Sequence, residues 1–232
     1  MGRTSSWVGF RTSPAEALAK LQLAATGEFH ELPEAPLCAV TLESGWFVVV
    51  SSADFRFVER PRLEDLSLDC ELIGTAVDEH AMVSQALAYR NSTLEWSVIH
   101  DGSVGRAHLQ MEGAPPREVH GMTERARAKR QPGVDHVFGV PVDLVAAVMG
   151  FDLSAEHRFE TLVPAPAPWR AYRHPDGRVW SIRVGGPGYQ LRIGAPDDEP
   201  VLKERASTRP LRDLEALIAE QVADGFAPMP SP

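Results

Sequence analysis

The chain has 232 residues, 44% hydrophobic and 24% charged, with a formal net charge of −9, values ordinary for a globular protein able to bury one sizeable core and a smaller second one. The whole of that charge falls in the first 165 residues, whereas residues 166–232 hold nine basic and nine acidic side chains. The acidic larger part argues against general affinity for phosphate backbones and suits a basic protein partner.

In chain order, Trp7 to Arg11 suits a strand, and Ser13-Pro14-Ala15-Glu16 is a capping box with Pro at the first helical position. The helix it starts buries Ala17, Leu18 and Leu21. Leu37 to Leu42 and Trp46 to Val50 flank Glu43-Ser44-Gly45 as a hairpin, and Phe55, Phe57 and Val58 continue the apolar character. From Glu71 to Met111 the pattern predicts an antiparallel meander. Met82–Tyr89 and Thr93–His100 pair across a turn at Asn91-Ser92. Regular pairing from that turn puts Val83, Gln85, Leu87 and Tyr89 on one face with Leu94, Trp96, Val98 and His100. Ser84 then faces away from His100. A third strand, Ala107 to Met111, follows Asp101-Gly102. Val119 to Arg130 and a segment from Pro141 to Gly150 read as helices. Residues 1–163 therefore form an N-terminal α+β domain, bounded by a stiff Pro164-Ala-Pro-Ala-Pro168 spacer.

Residues 169–232 form a second, smaller domain. His174-Pro175-Asp176-Gly177 turns between two strands, the second carrying Val179, Trp180, Ile182 and Val184. Gly185-Gly186-Pro187-Gly188 turns into Tyr189, Leu191 and Ile193, and Val201 to Ala206 is a further strand. Ser207 or Thr208 caps a helix with Pro210 at its start, Leu211, Leu214, Leu217, Ile218 and Val222 at helical spacing, and Gly225 as its stop. The order of strands, helix and closing Gly-Phe over residues 169–227 resembles a WGR domain, the small module of poly(ADP-ribose) polymerases and of many bacterial proteins. The matching stretch is Leu191-Arg192-Ile193-Gly194-Ala195. Gly194 stands at the family glycine and Arg192 at the preceding arginine, whereas Ile193 and Ala195 replace the Trp and Arg of the triplet. The resemblance implies the fold, and contact with DNA ends. The loss of the Trp and Arg, followed by Asp197-Asp198-Glu199, removes stacking and phosphate-binding groups from that stretch.

Two cysteines, Cys38 and Cys70, exclude a disulfide framework or a cysteine-rich zinc site. No apolar leader or membrane-length run appears, so a cytoplasmic, reducing location without a membrane partner is expected. The eight histidines never fall at i, i+2 or i, i+4, so no metal site is expected. His100, His108 and Asp135-His136 would meet only through tertiary structure. No phosphate loop or Gly-x-Ser-x-Gly elbow is present, and no cofactor is expected.

The catalytic candidates are Glu79, His80, His100 and Asp101, where carboxylates adjoin histidines near the ends of neighbouring strands. The same residues also make ordinary turns. Arg125, Arg127, Lys129 and Arg130 form a basic cluster at a helix C-terminus, where they complement the helix dipole. Arg170, Arg173, Arg183 and Arg192 are expected to line one face of the second domain's sheet, with Arg173, Arg183 and Arg192 as its nucleic-acid-binding candidates. The expected function is that of a non-enzymatic bacterial binding protein recognising another protein, in an immunity or regulatory role. The alternatives are DNA or RNA binding through the WGR-like module, and a hydrolase-type enzyme using His80, His100 and neighbouring carboxylates.

Overall fold

The computed structural model describes residues 4–52, 55–129, 131, 133–165, 167–185, 188–194 and 201–229. The fold class is α+β, with strands paired antiparallel in two sheets. The chain divides into two compact units, Met1–Pro14 with Ala25–Val163, and Ala15–Ala24 with Pro164–Pro232.

In chain order come β1 (Thr4–Phe10), α1 (Pro14–Leu21), β2 (Leu23–His30), β3 (Leu37–Thr41), β4 (Phe47–Ser51), α2 (Arg60–Leu66), β5 (Glu71–Asp78), β6 (Val83–Arg90), β7 (Thr93–Asp101), β8 (Gln110–Gly113), α3 (Glu118–Ala128), α4 (Val140–Met149) and β9 (Phe159–Pro164). All but α1, whose residues from Ala15 on fall in the second unit, build the first sheet and its helices. Among the described residues its nine strands run in the order β2-β9-β3-β4-β1-β5-β6-β7-β8. The central strands read as nearly continuous apolar runs because both faces are covered. On one face Trp7, Val48, Val50, Ile73, Ala86, Ala88, Trp96 and Val98 share a core with Val119, Leu144, Val145 and Met149 of α3 and α4. On the other, Val8, Val49, Leu72 and Leu87 are buried on the side of Leu63 and Leu66 of α2. Two glycines allow the close approach. A methyl at Gly9 would collide with Met149 and Trp46, and one at Gly74 would collide with Leu63.

The hairpin of β6 and β7 turns at Asn91-Ser92, both with positive φ, 48° and 61°, as a two-residue type I′ turn requires. Its register departs from the expected one. Tyr89 pairs with Leu94 as the turn dictates, but Ala88 pairs with Trp96, so Glu95 is an extra residue in the ladder. This bulge exchanges faces for the rest of the strand. Trp96, Val98 and His100 lie opposite Ala88, Ala86 and Ser84, and Gln85 lies opposite Ile99. Ser84 therefore faces the same side as His100. The third meander strand is β8, Gln110–Gly113, later than expected because residues 102–109 loop back toward His100. β2, α2 and β9 were not anticipated.

The second unit contains β10 (Arg170–Arg173), β11 (Val179–Gly185), β12 (Gly188–Gly194), β13 (Val201–Ala206), α5 (Pro210–Ala223) and β14 (Ala227–Pro228). Its sheet order is β13-β12-β11-β10-β14. Tyr172, Trp180, Ile182, Val184 and Leu191 form the buried face, and Leu211, Leu214 and Ile218 of α5 are buried with them. Arg209, not Ser207 or Thr208, occupies the N-cap; Ser207 Oγ accepts the Arg209 N–H and donates to Asp213. Gly225, at φ +98°, terminates the helix. Arg130, Gly186-Pro187, Ala195 and Asp197-Asp198-Glu199, singled out above, lie outside the described residues. Among the described residues no helix is long and apolar enough to cross a membrane.

Candidate functional site

The first site grows from the shifted register of β7. The bulge turns His100 inward, and its side chain is fully buried. Nδ1 donates to the His108 carbonyl at 2.7 Å, and His108 Nδ1 in turn accepts the Asp101 N–H at 2.9 Å. The Phe138 ring meets His100 edge-on, with centroids 6.0 Å apart. His100 Nε2 lies 3.2 Å from Asp135 Oδ2, close but without the alignment of a hydrogen bond. The other oxygen of Asp135 accepts the N–H groups of Val137 and Phe138 at 3.1 and 3.2 Å, starting the short 3-10 turn Val137–Gly139. Ser84, across the ladder from His100, donates to the Phe138 carbonyl at 2.6 Å. Each member thus fastens the 102–109 loop or the 135–139 turn to β6 and β7.

The fold brings His100, His108, Asp135 and Ser84 together, and leaves Glu79 and His80 outside the cluster. Those two sit on the exposed turn after β5, where Asp78 Oδ1 accepts the His80 and Ala81 N–H groups. Asp101 turns away and accepts from Ser103, whose hydroxyl and N–H hold its carboxyl below the ordinary range. Ser84 Oγ is bonded to a carbonyl, so it is oriented as a tether. Among the described residues, no group of three or more His, Cys, Asp or Glu side chains is placed to hold a metal ion.

The second site is the open face of the sheet in the second unit. Alternation along β11 sends Trp180, Ile182 and Val184 to α5 and leaves Ser181 and Arg183 on the opposite side. The register places Arg192 across from Ser181, and Gln190 across from Arg183. Arg173, paired with Val179, points to the same side. Arg170 does not: it lies across from Ile182 on the helix face and forms an ion pair with Glu215 of α5. The expected row of four arginines is therefore a row of three. Trp169, just before β10, completes the face. The guanidiniums of Arg183 and Arg192 lie 4.4 and 4.1 Å from its ring centre, within the range of cation–π attraction. Arg183 Nε donates to Gln190 Oε1 at 2.8 Å, and Gln190 Nε2 donates to Glu204 at 2.7 Å. Among the described residues, no carboxylate lies within ion-pairing distance of Arg173, Arg183 or Arg192.

Sequence reasoning found the arginines through strand alternation. It did not single out Trp169; alternation along the stretch from Trp169 puts it on the side of Arg173, but its contact with Arg183 and Arg192 comes only from the fold. Comparison with known proteins brings no match, neither from family models, nor from curated proteins, nor from solved structures.

Proposed function

We propose that the protein is a non-enzymatic binding protein, and that its second unit recognises phosphate-bearing nucleic acid through the sheet face of Trp169, Arg173, Arg183 and Arg192. The observation that carries this reading is the placement of two guanidiniums against one indole, with no carboxylate paired to either among the described residues. A guanidinium stacked on an aromatic ring keeps its N–H edge for phosphate oxygens, and its flat orientation is already set before a ligand arrives. The strands hold these groups at fixed spacing, so little ordering cost remains on binding. The resemblance of residues 169–227 to a WGR module points the same way, with Arg192 at the family arginine. The acidity of the first 165 residues limits the expected affinity and confines contact to this face.

Electrophoretic mobility shift with a short oligonucleotide tests the reading. Binding at low salt that disappears in Arg183→Glu and Arg192→Glu supports it. Equal binding by wild type and both variants, or none by wild type, refutes it.

A protein partner is the second reading, favoured by β13. All six of its residues are exposed, with Val201 57% and Leu202 53% accessible, and it forms an edge of the sheet. An exposed edge can accept a strand from another protein. Pull-down of a cytosolic partner that is lost on Leu202→Pro, with DNA binding absent, would favour that reading over the first.

A further inference from the structure

The first unit has a cleft of about 340 Å³ between the end of α3 and the two loops that carry His108 and Asp135. Arg106, Arg127 and Lys129 line it together with His136, and Ala126 and Val137 supply apolar wall. The three cations are exposed, and among the described residues none of them has a carboxylate within ion-pairing distance. Arg127 donates to the Ala107 carbonyl at 3.1 Å, which ties α3 to the loop on the opposite wall and fixes one guanidinium at the rim.

Among the described residues one carboxylate lines the cleft, and it is directed inward. Asp135 is nearly fully buried, with Oδ1 accepting the Val137 and Phe138 N–H groups and Oδ2 beside His100. Its oxygens are engaged away from the rim cations, and Asp143, outside the lining, lies within electrostatic reach of Lys129. His136 lines the cleft as well; among the described residues its buried Nε2 has no hydrogen-bond partner. The cleft therefore combines three exposed cations, none with a carboxylate within ion-pairing distance among the described residues, and a short apolar wall.

We infer that this cleft binds a small organic phosphate, its phosphoryl oxygens meeting Arg106, Arg127 and Lys129 and its apolar part resting on Ala126 and Val137. Planar guanidiniums match phosphoryl oxygens two at a time, and Lys adds a point charge. The volume suits a ligand the size of a mononucleotide or a smaller phosphomonoester. The cleft is formed by residues of the first unit, whereas the arginine face belongs to the second.

Isothermal titration of the full-length protein with phenyl phosphate, inorganic phosphate and benzoate at low salt tests the inference. Phenyl phosphate is expected to bind more tightly than inorganic phosphate, through the apolar wall, and more tightly than benzoate, through the additional oxygen. Lys129→Gln and Arg106→Gln, which remove exposed side chains, are each expected to weaken phenyl phosphate about tenfold. Arg183→Glu should leave it unchanged. Absence of phenyl phosphate binding in the wild type overturns the inference. So does binding that is insensitive to both Lys129→Gln and Arg106→Gln, or binding lost in Arg183→Glu, which would place the anion on the other unit.

Discussion

Replacing Asp135 by Ala tests whether the buried histidine cluster is a structural clasp. The carboxylate accepts two backbone N–H groups at 3.1 and 3.2 Å and sits 3.2 Å from a fully buried imidazole, itself only 4% exposed. Its removal leaves two donors near the core without acceptors, at about 1–3 kcal/mol each when no water replaces them. It also opens a void beside the fully buried His100 ring, 3.2 Å from the lost carboxylate. Both bonds are at the long end of the normal range, so the expected total is about 2–4 kcal/mol. Asp135→Asn keeps an oxygen for the two N–H groups and should lose roughly half as much. With a urea slope of roughly 2 kcal/mol per molar, the Ala variant should unfold about 1–2 M earlier at unchanged slope. Urea titration followed by far-ultraviolet circular dichroism reads this directly. A loss below about 1 kcal/mol for Asp135→Ala, or an Asn variant weaker than the Ala variant, would refute the clasp.

Three further outcomes follow from the packing. Ser92 holds φ at 61°, and among the described residues its buried hydroxyl has no partner, so Ser92→Gly should stabilise by about 1 kcal/mol in the same titration; a loss of stability would contradict this. Gly74→Ala should cost about 1–3 kcal/mol by overpacking, since the new methyl would lie 2.5 Å from Leu63 Cδ1. The penalty should shrink in a Leu63→Ala background, and undiminished cost there would place the strain elsewhere. Burial pushes the Cys38 thiol up from near 9 to about 11, so the folded chain holds this proton more tightly than the unfolded one. The corresponding stability is complete below about pH 9 and is lost as the pH rises toward 11. Urea midpoints should fall across that window, and fall less in Cys38→Ala; parallel pH profiles for the two would rule out Cys38 as the cause.

Local chemistry made much of the fold legible. Asn91-Ser92 announces a tight hairpin, Pro141 and Gly150 bracket α4, and Pro210 and Gly225 bracket α5, because proline and glycine act on backbone angles within a few residues. The faces of the meander were not legible, because one extra residue at Glu95 reverses every side chain beyond it and no side-chain pattern marks the bulge. The His100–Asp135 contact joins residues 35 positions apart on a strand and a loop, so only the folded chain brings them together. In the second unit, strand alternation correctly grouped Arg173, Arg183 and Arg192. It wrongly added Arg170, which lies one position out of phase with Arg173 along β10 and faces α5. Trp169 lies outside any regular element, and its role as the platform under two arginines emerges only from tertiary placement.

The most direct test of nucleic-acid recognition is fluorescence anisotropy of a short DNA duplex with free ends, titrated with protein at increasing salt. If Arg173, Arg183 and Arg192 each neutralise one phosphate, log affinity should fall against log salt with a slope of about −2.7, or about fortyfold between 50 and 200 mM. Arg192→Glu should weaken binding and flatten that slope by about one. No binding at low salt, or a slope near zero that Arg192→Glu leaves unaltered, would contradict the assignment of this face to nucleic acid.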